Sequence, residues 1–478
     1  MSARFTLLHT NDIHSHLEQA AQIAGYVKRM RSRVPADELL VVDCGDFLDR
    51  ARPETEGTGG EVNRNLLCSI GYDAVLPGNN EGLTMTFEQL DAFYGGLPIP
   101  VVCANFRPLD PQRKVQWLQP SLLIRKAGWN VGLIGLTAPF NDYYRLLGWS
   151  AADPIETAEA EVAKIRSEAD IVIVLSHLGL RQDERLAASV RGIDLILGAH
   201  THHLLEKPLD VGGTMMSAAG KFGMYAGHLE ISRDAGGDRA EIRGGCLSTE
   251  GWPRDAEAES IIAAGRESAK RRMSRVVAEL KEPLDWAPDR ESPLSVLLAE
   301  IVRRKTGAEI GLVNAGQFLG ALPAGPVTEE RVHALCPSPI NCCLMELTGR
   351  ELLQAMEESL LPEFAGLEIK GFGFRGRVLG TLCFDGLEGT ADLSRMPYDR
   401  VLEVRVGGER LDPDRAYKVG TLDMFTFGAG YAGLRNGRNV KYVLPEFIRE
   451  LLWEGLGDEE LLSGARWRRI RLTGERPS

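Results

Sequence analysis

Short apolar runs that end in polar clusters recur through the first half of the chain. Phe5–Leu8 leads into Thr10-Asn11-Asp12, Leu39–Val42 into Asp43, and Ala74–Leu76 into Gly78-Asn79. Val131–Leu136 before Thr137, Ile171–Leu175 before Ser176-His177, and Leu195–Leu197 before Gly198-Ala199-His200 repeat the pattern. Apolar runs this short, bounded by turn formers, predict buried strands, and each delivers polar groups at its C-terminal end. Between them Glu156–Ala169 and Glu184–Val190 read as helices, which favours a layered α/β domain over an all-β one. Val211–Ala218 and Tyr225–Ile231 read as hairpin strands, so the sheet arrangement is expected to be mixed.

The pattern changes after about residue 250. Asp255–Leu280 is rich in Ala, Glu, Arg and Lys, and Ile261, Ile262, Val276, Val277 and Leu280 form only part of an apolar stripe, as expected of a helix joining two domains. Pro283, Pro288 and Pro293 follow, and then a second block of helices and strands from Leu294 to Leu472. With 478 residues, 44% of them hydrophobic, the chain is long enough for two cores.

Charge narrows the function classes. A formal net charge of −12 argues against general nucleic-acid binding, which draws on a basic excess. A small anionic substrate stays compatible, because bound divalent cations reverse the local field of an acidic pocket. The eight cysteines, Cys44, Cys68, Cys103, Cys246, Cys336, Cys342, Cys343 and Cys383, lack zinc-thiolate spacing and read as reduced thiols. The first strand starts almost at the initial Met, leaving no room for a signal peptide, and no apolar stretch reaches the roughly 20 residues of a membrane span. A cytoplasmic location without membrane association is the expectation.

The strand-end clusters hold residues that bind divalent metals: Asp12, His14, Asp46, Asn79, His177, His200 and His202. Any one of them has an ordinary explanation, such as a helix cap. Their order is more specific: Asp-x-His, Gly-Asp, Gly-Asn, a single His after a strand, then Gly-x-His-x-His. In this order, and in the opening Leu8-His9-Thr10-Asn11-Asp12-Ile13-His14, the chain resembles the calcineurin-like metallophosphoesterases of the 5′-nucleotidase, UDP-sugar hydrolase and cyclic-nucleotide phosphodiesterase branch.

The resemblance implies an N-terminal four-layer α/β/β/α metallophosphoesterase domain over residues 1–250, a linker helix over 251–285 and a C-terminal mixed α/β substrate domain over 286–478. It further implies two divalent metal ions, with zinc or manganese favoured by the imidazole donors and iron, cobalt or magnesium as alternatives. Asp12, His14 and His202 would hold one ion, Asn79, His177 and His200 the other, and Asp46 would bridge. Where the family reads Gly-Asn-His-Glu-Phe-Asp, this chain reads Gly78-Asn79-Asn80-Glu81-Gly82-Leu83, so Asn80 stands in the catalytic position without the usual imidazole. His9, His16 and His203 are candidates to fill that vacancy. Asp43 either orients a ligand or is a buried structural carboxylate.

Weaker signatures extend the resemblance into the second half: Gly311-Leu312-Val313-Asn314-Ala315-Gly316, Pro337-x-Pro339-x-Asn341, and Phe427-Gly428-Ala429-Gly430-Tyr431. They nominate Asn314, Gly316, Phe374 and Tyr431 for substrate binding, with Phe372 as an alternative ring against the base. Leu319 replaces the Arg that reads anionic groups in the family, and Arg375 or Arg377 could supply that charge instead. The reading is therefore hydrolysis of a phosphate ester, a nucleotide first of all. A cyclic phosphodiester, nucleotide-sugar or sulfur-analogue hydrolase is the second reading, and a metal- and nucleotide-binding protein with little turnover the third.

Overall fold

The computed structural model describes residues 4–233 and 240–474. The chain divides into two compact units, Met1–Ala269 and Lys270–Ser478.

The first unit is built on two mixed sheets. One runs, edge to edge, Ala240–Ser248, Tyr225–Arg233, Arg4–Thr10, Leu39–Asp43, Ala74–Val75, Val101–Val102, Leu118–Gln119; the other Leu209–Val211, Thr214–Ser217, Leu195–Gly198, Ile171–His177, Trp129–Thr137, Ser121–Lys126. The sheets meet closely: a Cβ on Gly135 would lie 1.9 Å from the Val102 carbonyl oxygen. Outward-facing Ile134, Leu136, Val172, Val174 and Ile196 of the second sheet pack with Ala158, Val162, Ile165 and Leu186 of helices Pro154–Ile165 and Leu180–Ser189. Helix Leu17–Arg31 packs beside the first sheet and buries Ala20, Ile23, Ala24 and Val27 at helical spacing. Two sheets face to face with helices outside form the four-layer α/β/β/α arrangement.

Register explains why chemistry gathers at one edge. Thr10 pairs with Asp43 and Asp43 with Val75 in parallel ladders, so Asp12, Asp46 and Asn79 all follow the C-terminal ends of neighbouring strands. In the second sheet Ser176 pairs with Gly198, which places His177 and His200 at a common edge. Ligands in α/β sheets collect outside the carboxyl ends of strands.

The helix read over Asp255–Leu280 ends at Arg272, where the Ser274 hydroxyl donates to the Arg271 carbonyl. Val276–Leu280 is a strand, antiparallel to Gly325–Thr328. Its β-branched start and its burial of Ala278 and Leu280 follow the two-residue period of a strand, which overrides the helix-forming composition upstream.

The second unit centres on a five-stranded sheet ordered Leu382–Asp385, Ile310–Asn314, Ala416–Leu422, Asn341–Thr348, Arg438–Phe447. Helix Pro293–Thr306 lies against it, started by Pro293 and closed by Gly307 in the left-handed conformation. A separate four-stranded sheet contains Glu409–Arg410, Val401–Val406, Leu387–Asp392 and Ile470–Thr473. No helix among the described residues is long and apolar enough to cross a membrane.

Candidate metal centre

The structure brings all seven nominated ligand residues into one cluster. Nε2 of His14 lies 3.0 Å from Nε2 of His202 and 3.7 Å from Asp12 Oδ1, and His202 Nε2 is 3.5 Å from the same oxygen. Asn79 Oδ1 lies 3.0 Å from His177 Nε2 and 2.7 Å from His200 Nδ1. Asp46 stands between these groups, with Oδ2 at 3.7 Å from His14 Nε2 and Oδ1 at 3.3 Å from His177 Nε2. Asp12, His14 and His202, and again Asp12, Asp46 and His177, offer donor atoms close enough together to share an ion.

The backbone is shaped for this convergence. Asp12, His14, Ser15, Asp46, His200 and His202 all adopt positive φ, between 47° and 72°. Non-glycine residues pay conformational energy there, and such strain concentrates at functional sites. Two glycines permit the close approach of the loops: a Cβ on Gly78 would lie 2.1 Å from Asp46 Oδ1, and one on Gly45 2.6 Å from the Gly78 nitrogen.

The electrostatics of the cluster call for positive charge. Burial is the largest influence on His14 and His177 and pulls both toward neutrality. The hydrogen bonds and charges of Asp12, Asp46 and, for His14, Asp49 outweigh it and raise each to about 10. Burial likewise opposes ionisation of Asp12 and Asp46, yet the surrounding histidines hold both carboxyls below their ordinary range. His200, buried and facing charged His177, is lowered to about 4. Two desolvated carboxylates thus face each other across imidazoles, a situation relieved by protons or by cations.

Several supporting residues escaped the sequence reading. The buried Glu81 carboxylate accepts from the backbone N–H groups of Asp46 (3.1 Å), Gly78 (2.9 Å) and Leu48 (3.0 Å), tying two ligand loops together. Asn11 donates to Asp12 Oδ2 at 2.8 Å and accepts from the Ala219 N–H at 2.9 Å. Asp49 Oδ2 lies 3.5 Å from His14 Nδ1. Glu81 and Asn11 lie inside the motifs that flagged their neighbours, which is the signal that could have found them; Asp49 has none.

Asn80 is placed beside a ligand. Its Nδ2 is 2.8 Å from His14 Nδ1 and 3.3 Å from the Leu48 carbonyl, while its backbone N–H donates to Asp46 Oδ1 at 2.7 Å. The candidate replacement histidines differ. His9 is fully buried with Nε2 at 2.9 Å from the Ser217 hydroxyl, which removes it from the cluster. His203 is exposed, with Nδ1 on the Thr201 hydroxyl. His16 stacks on Phe222, and its Nδ1 is 3.1 Å from the carbonyls of both Ile13 and His14. Asp43 is structural: it accepts from the Thr10 hydroxyl (2.6 Å) and the Gly45 N–H (3.0 Å), and burial raises it to about 8.

The second-half nominees have structural employment. Asn314 is buried, donating to the Leu379 carbonyl at 2.6 Å and accepting from Gln317 at 2.7 Å. A Cβ on Gly316 would lie 1.9 Å from the Val378 carbonyl oxygen. Phe374 is buried, and so is Tyr431, whose hydroxyl donates to the Gly380 carbonyl while its ring stacks on Phe364. Neither Tyr431 nor Phe374 presents an open ring face in this structure. The exposed parallel pair is instead Phe372 (46% exposed) and Phe427 (43%), with centroids 6.4 Å apart and planes within 18°.

Comparison with known proteins agrees with this architecture. A family model described as calcineurin-like phosphoesterase matches residues 5–204, and one described as 5′-nucleotidase, C-terminal domain, matches residues 276–433. The chain is 35% identical to the metallophosphoesterase YunD of Bacillus subtilis (strain 168), over 95% of this chain and 99% of that protein. It is 25% identical to the 5′-nucleotidase of Rattus norvegicus, covering 87% and 82% of the two chains. A solved structure described as a 5′-nucleotidase precursor from Thermus thermophilus matches with TM-score 0.60 and 26% identity, over 99% of this chain and 100% of that one. The chain therefore belongs to the calcineurin-like metallophosphoesterases that carry a 5′-nucleotidase C-terminal domain, divalent-metal hydrolases of phosphoric esters.

Proposed function

We propose that the cluster holds two divalent cations and hydrolyses the phosphate ester of a nucleotide. The observation that carries this is Asp46, whose two oxygens face His14 on one side and His177 on the other. The donor set fits such ions: imidazole nitrogens, carboxylate oxygens and one amide oxygen, the mixture that suits zinc, manganese or iron. Asp12, His14 and His202 would form one site, Asn79, His177 and His200 the second, with Asp46 shared. Ions in such a pair supply Lewis acidity to the phosphoryl oxygens and make water acidic enough to act near neutral pH.

The chain's own groups prepare the donors. His177 Nδ1 lies 2.7 Å from the Cys44 carbonyl, which accepts its proton and so leaves the Nε2 lone pair directed at the cluster. A His14 that offers Nε2 carries its proton on Nδ1, where Asp49 Oδ2 at 3.5 Å is the acceptor. Asn80 lies against the same edge of His14, its Nδ2 2.8 Å from His14 Nδ1 and donating to the Leu48 carbonyl at 3.3 Å. On this reading Asn80 positions His14, and its proximity to Asp46 through the backbone keeps the bridge in place.

A nucleotide is favoured by the 5′-nucleotidase relatives, and the exposed rings Phe372 and Phe427 offer a planar base a stacking surface. A diester or nucleotide-sugar substrate is the second reading, favoured by the same substitutions that removed charge and imidazole: Asn80, Leu83 and Leu319. A reducing, cytoplasmic setting is supported by all eight cysteines being free thiols.

The test is phosphate release by manganese- or zinc-loaded protein from nucleoside monophosphates, cyclic nucleotides and nucleotide sugars, with Asp46→Asn as control. Release from monophosphates that vanishes in the control is the expected result. Release confined to the diesters or nucleotide sugars moves the assignment to the second reading, and release unaffected by Asp46→Asn overturns the two-cation centre.

A further inference from the structure

A tight loop, Gly220-Lys221-Phe222-Gly223, flanks the side of the metal centre formed by Asp12, His14 and His202. It is tied to the ligand loops. The Phe222 N–H donates to the Asp12 carbonyl at 2.7 Å, the Gly220 N–H donates to the His203 carbonyl at 3.0 Å, and the Gly220 carbonyl accepts from Asn11 at 2.8 Å. Gly220, Phe222 and Gly223 are all left-handed, at φ 72°, 64° and 64°. Glycine takes that conformation freely, but a bulky aromatic residue there is an outlier, and strain of this kind gathers at functional sites. Here it sets the Phe222 ring 5.8 Å from the His14 ring and 6.2 Å from the His202 ring, with His16 stacked on it at 4.0 Å.

Lys221 rides on that ring. Its Nζ lies 4.6 Å from the ring centroid, the residue is half-buried, and among the described residues no carboxylate pairs with it. The charges on the neighbouring loops are engaged. Arg52 meets Glu18 at 3.4 Å and Glu54 at 3.7 Å, and Arg50 meets Glu56 at 2.7 Å. Asp49 accepts the Ala51 N–H at 2.8 Å and faces His14, and Glu81 is occupied by three backbone amides. Lys221 is therefore a cation one ring away from two ligand histidines and held by a π face, a contact weaker than a charged hydrogen bond to an anion.

We propose that Lys221 is a specificity-determining residue, which binds a second anionic phosphoryl group adjacent to the one hydrolysed at the metal centre. This rests on the two-cation reading above. The ions would take the scissile group, and Lys221 stands outside the ligand set, so the anion it meets is a different one. Asn80 and Leu319 leave the chain without the His and Arg that its resemblance implies, and Lys221 supplies positive charge from the first unit instead. An ammonium is a compact point charge on a flexible stem, suited to following phosphate oxygens.

The test is equilibrium dialysis of the manganese-loaded full chain against methylphosphonate and methylenediphosphonate, at constant free manganese. Lys221→Met should weaken methylenediphosphonate about tenfold, the scale of one charged hydrogen bond. Methylphosphonate affinity and bound manganese should not change. Lys221→Arg should keep the parent's ratio of affinities, and so should Lys207→Met, which removes an exposed lysine of the same unit. If Lys221→Met does not fold, Lys221→Gln carries the test. An unchanged ratio in Lys221→Met, equal weakening of both ligands, or the same change in Lys207→Met overturns the proposal. Fewer than two manganese ions in the parent would count against the two-cation centre, whereas the ratio reports on Lys221, so each can fail without the other.

Discussion

The two units use their signature residues in opposite ways. In the first, the motif residues are held in strained left-handed backbone and aim polar atoms at a common point, so that four imidazoles and two carboxylates crowd within hydrogen-bonding range. In the second, Asn314, Gly316, Phe374 and Tyr431 are buried and relaxed into local hydrogen bonds and packing. In this structure the motifs of the first unit bring donors together, and those of the second place their side chains in the core. What separates the two units is whether the polar atoms of the motif residues are satisfied by their own unit.

This contrast can be broken at its strongest point by removing the bridge. Asp46→Asn should lower phosphate release by far more than the roughly 10–100-fold that accompanies loss of an outer partner of a metal ligand, while its thermal midpoint changes little in metal-free buffer. A mild kinetic effect, measured under saturating manganese, would place the chemistry elsewhere.

Asn80→Ala probes whether that residue acts through His14. Its expected cost is about 10–100-fold in metal affinity, largely recovered when manganese is raised. A fall in turnover that saturating metal does not restore would give Asn80 a direct part in the reaction.

The second unit supplies the complementary test. Tyr431→Phe removes the hydroxyl bonded to the Gly380 carbonyl and should cost about 1 kcal/mol of stability with KM unchanged. Phe427→Ala should do the reverse, raising KM for a nucleotide and leaving stability nearly untouched. Exchange of these two outcomes would restore Tyr431 as the ring that meets the base.

A further effect concerns pH. Asp423 is buried and accepts from the Asn341 N–H, and burial raises it from 3.8 to about 7. The folded chain therefore keeps a proton that the unfolded chain loses, so the group's contribution is full below about pH 4 and is lost as pH rises toward 7. Asp423→Asn should gain stability relative to the parent across that window in denaturant titrations, and a constant difference between the two would show that Asp423 is ionised when folded.

Much of the first unit was legible in the sequence because its strands are short, apolar and followed at once by ligand-type residues. Parallel pairing then carries those strand ends to one edge without further information. Glu81 and Asp49 were harder to read because each acts across a loop, Glu81 on amides 35 and 33 residues away and Asp49 on the far nitrogen of His14. The burial of Tyr431 was not legible for a different reason. Gly430, at φ 71° and packed on Leu379, turns the chain so that the ring enters the core, and an aromatic in a glycine-rich motif reads the same whether it points in or out. The strand Val276–Leu280 was hidden by the helix-forming residues before it, since its partner Gly325–Thr328 lies far along the chain.

The most direct test of the central claim is the number of ions bound, measured by equilibrium dialysis against manganese with elemental analysis of the protein. The two-cation account predicts two ions per parent chain, one in His202→Ala and one in His177→Ala, because each histidine serves a different site. A single ion in the parent, or two ions retained in both variants, would contradict it.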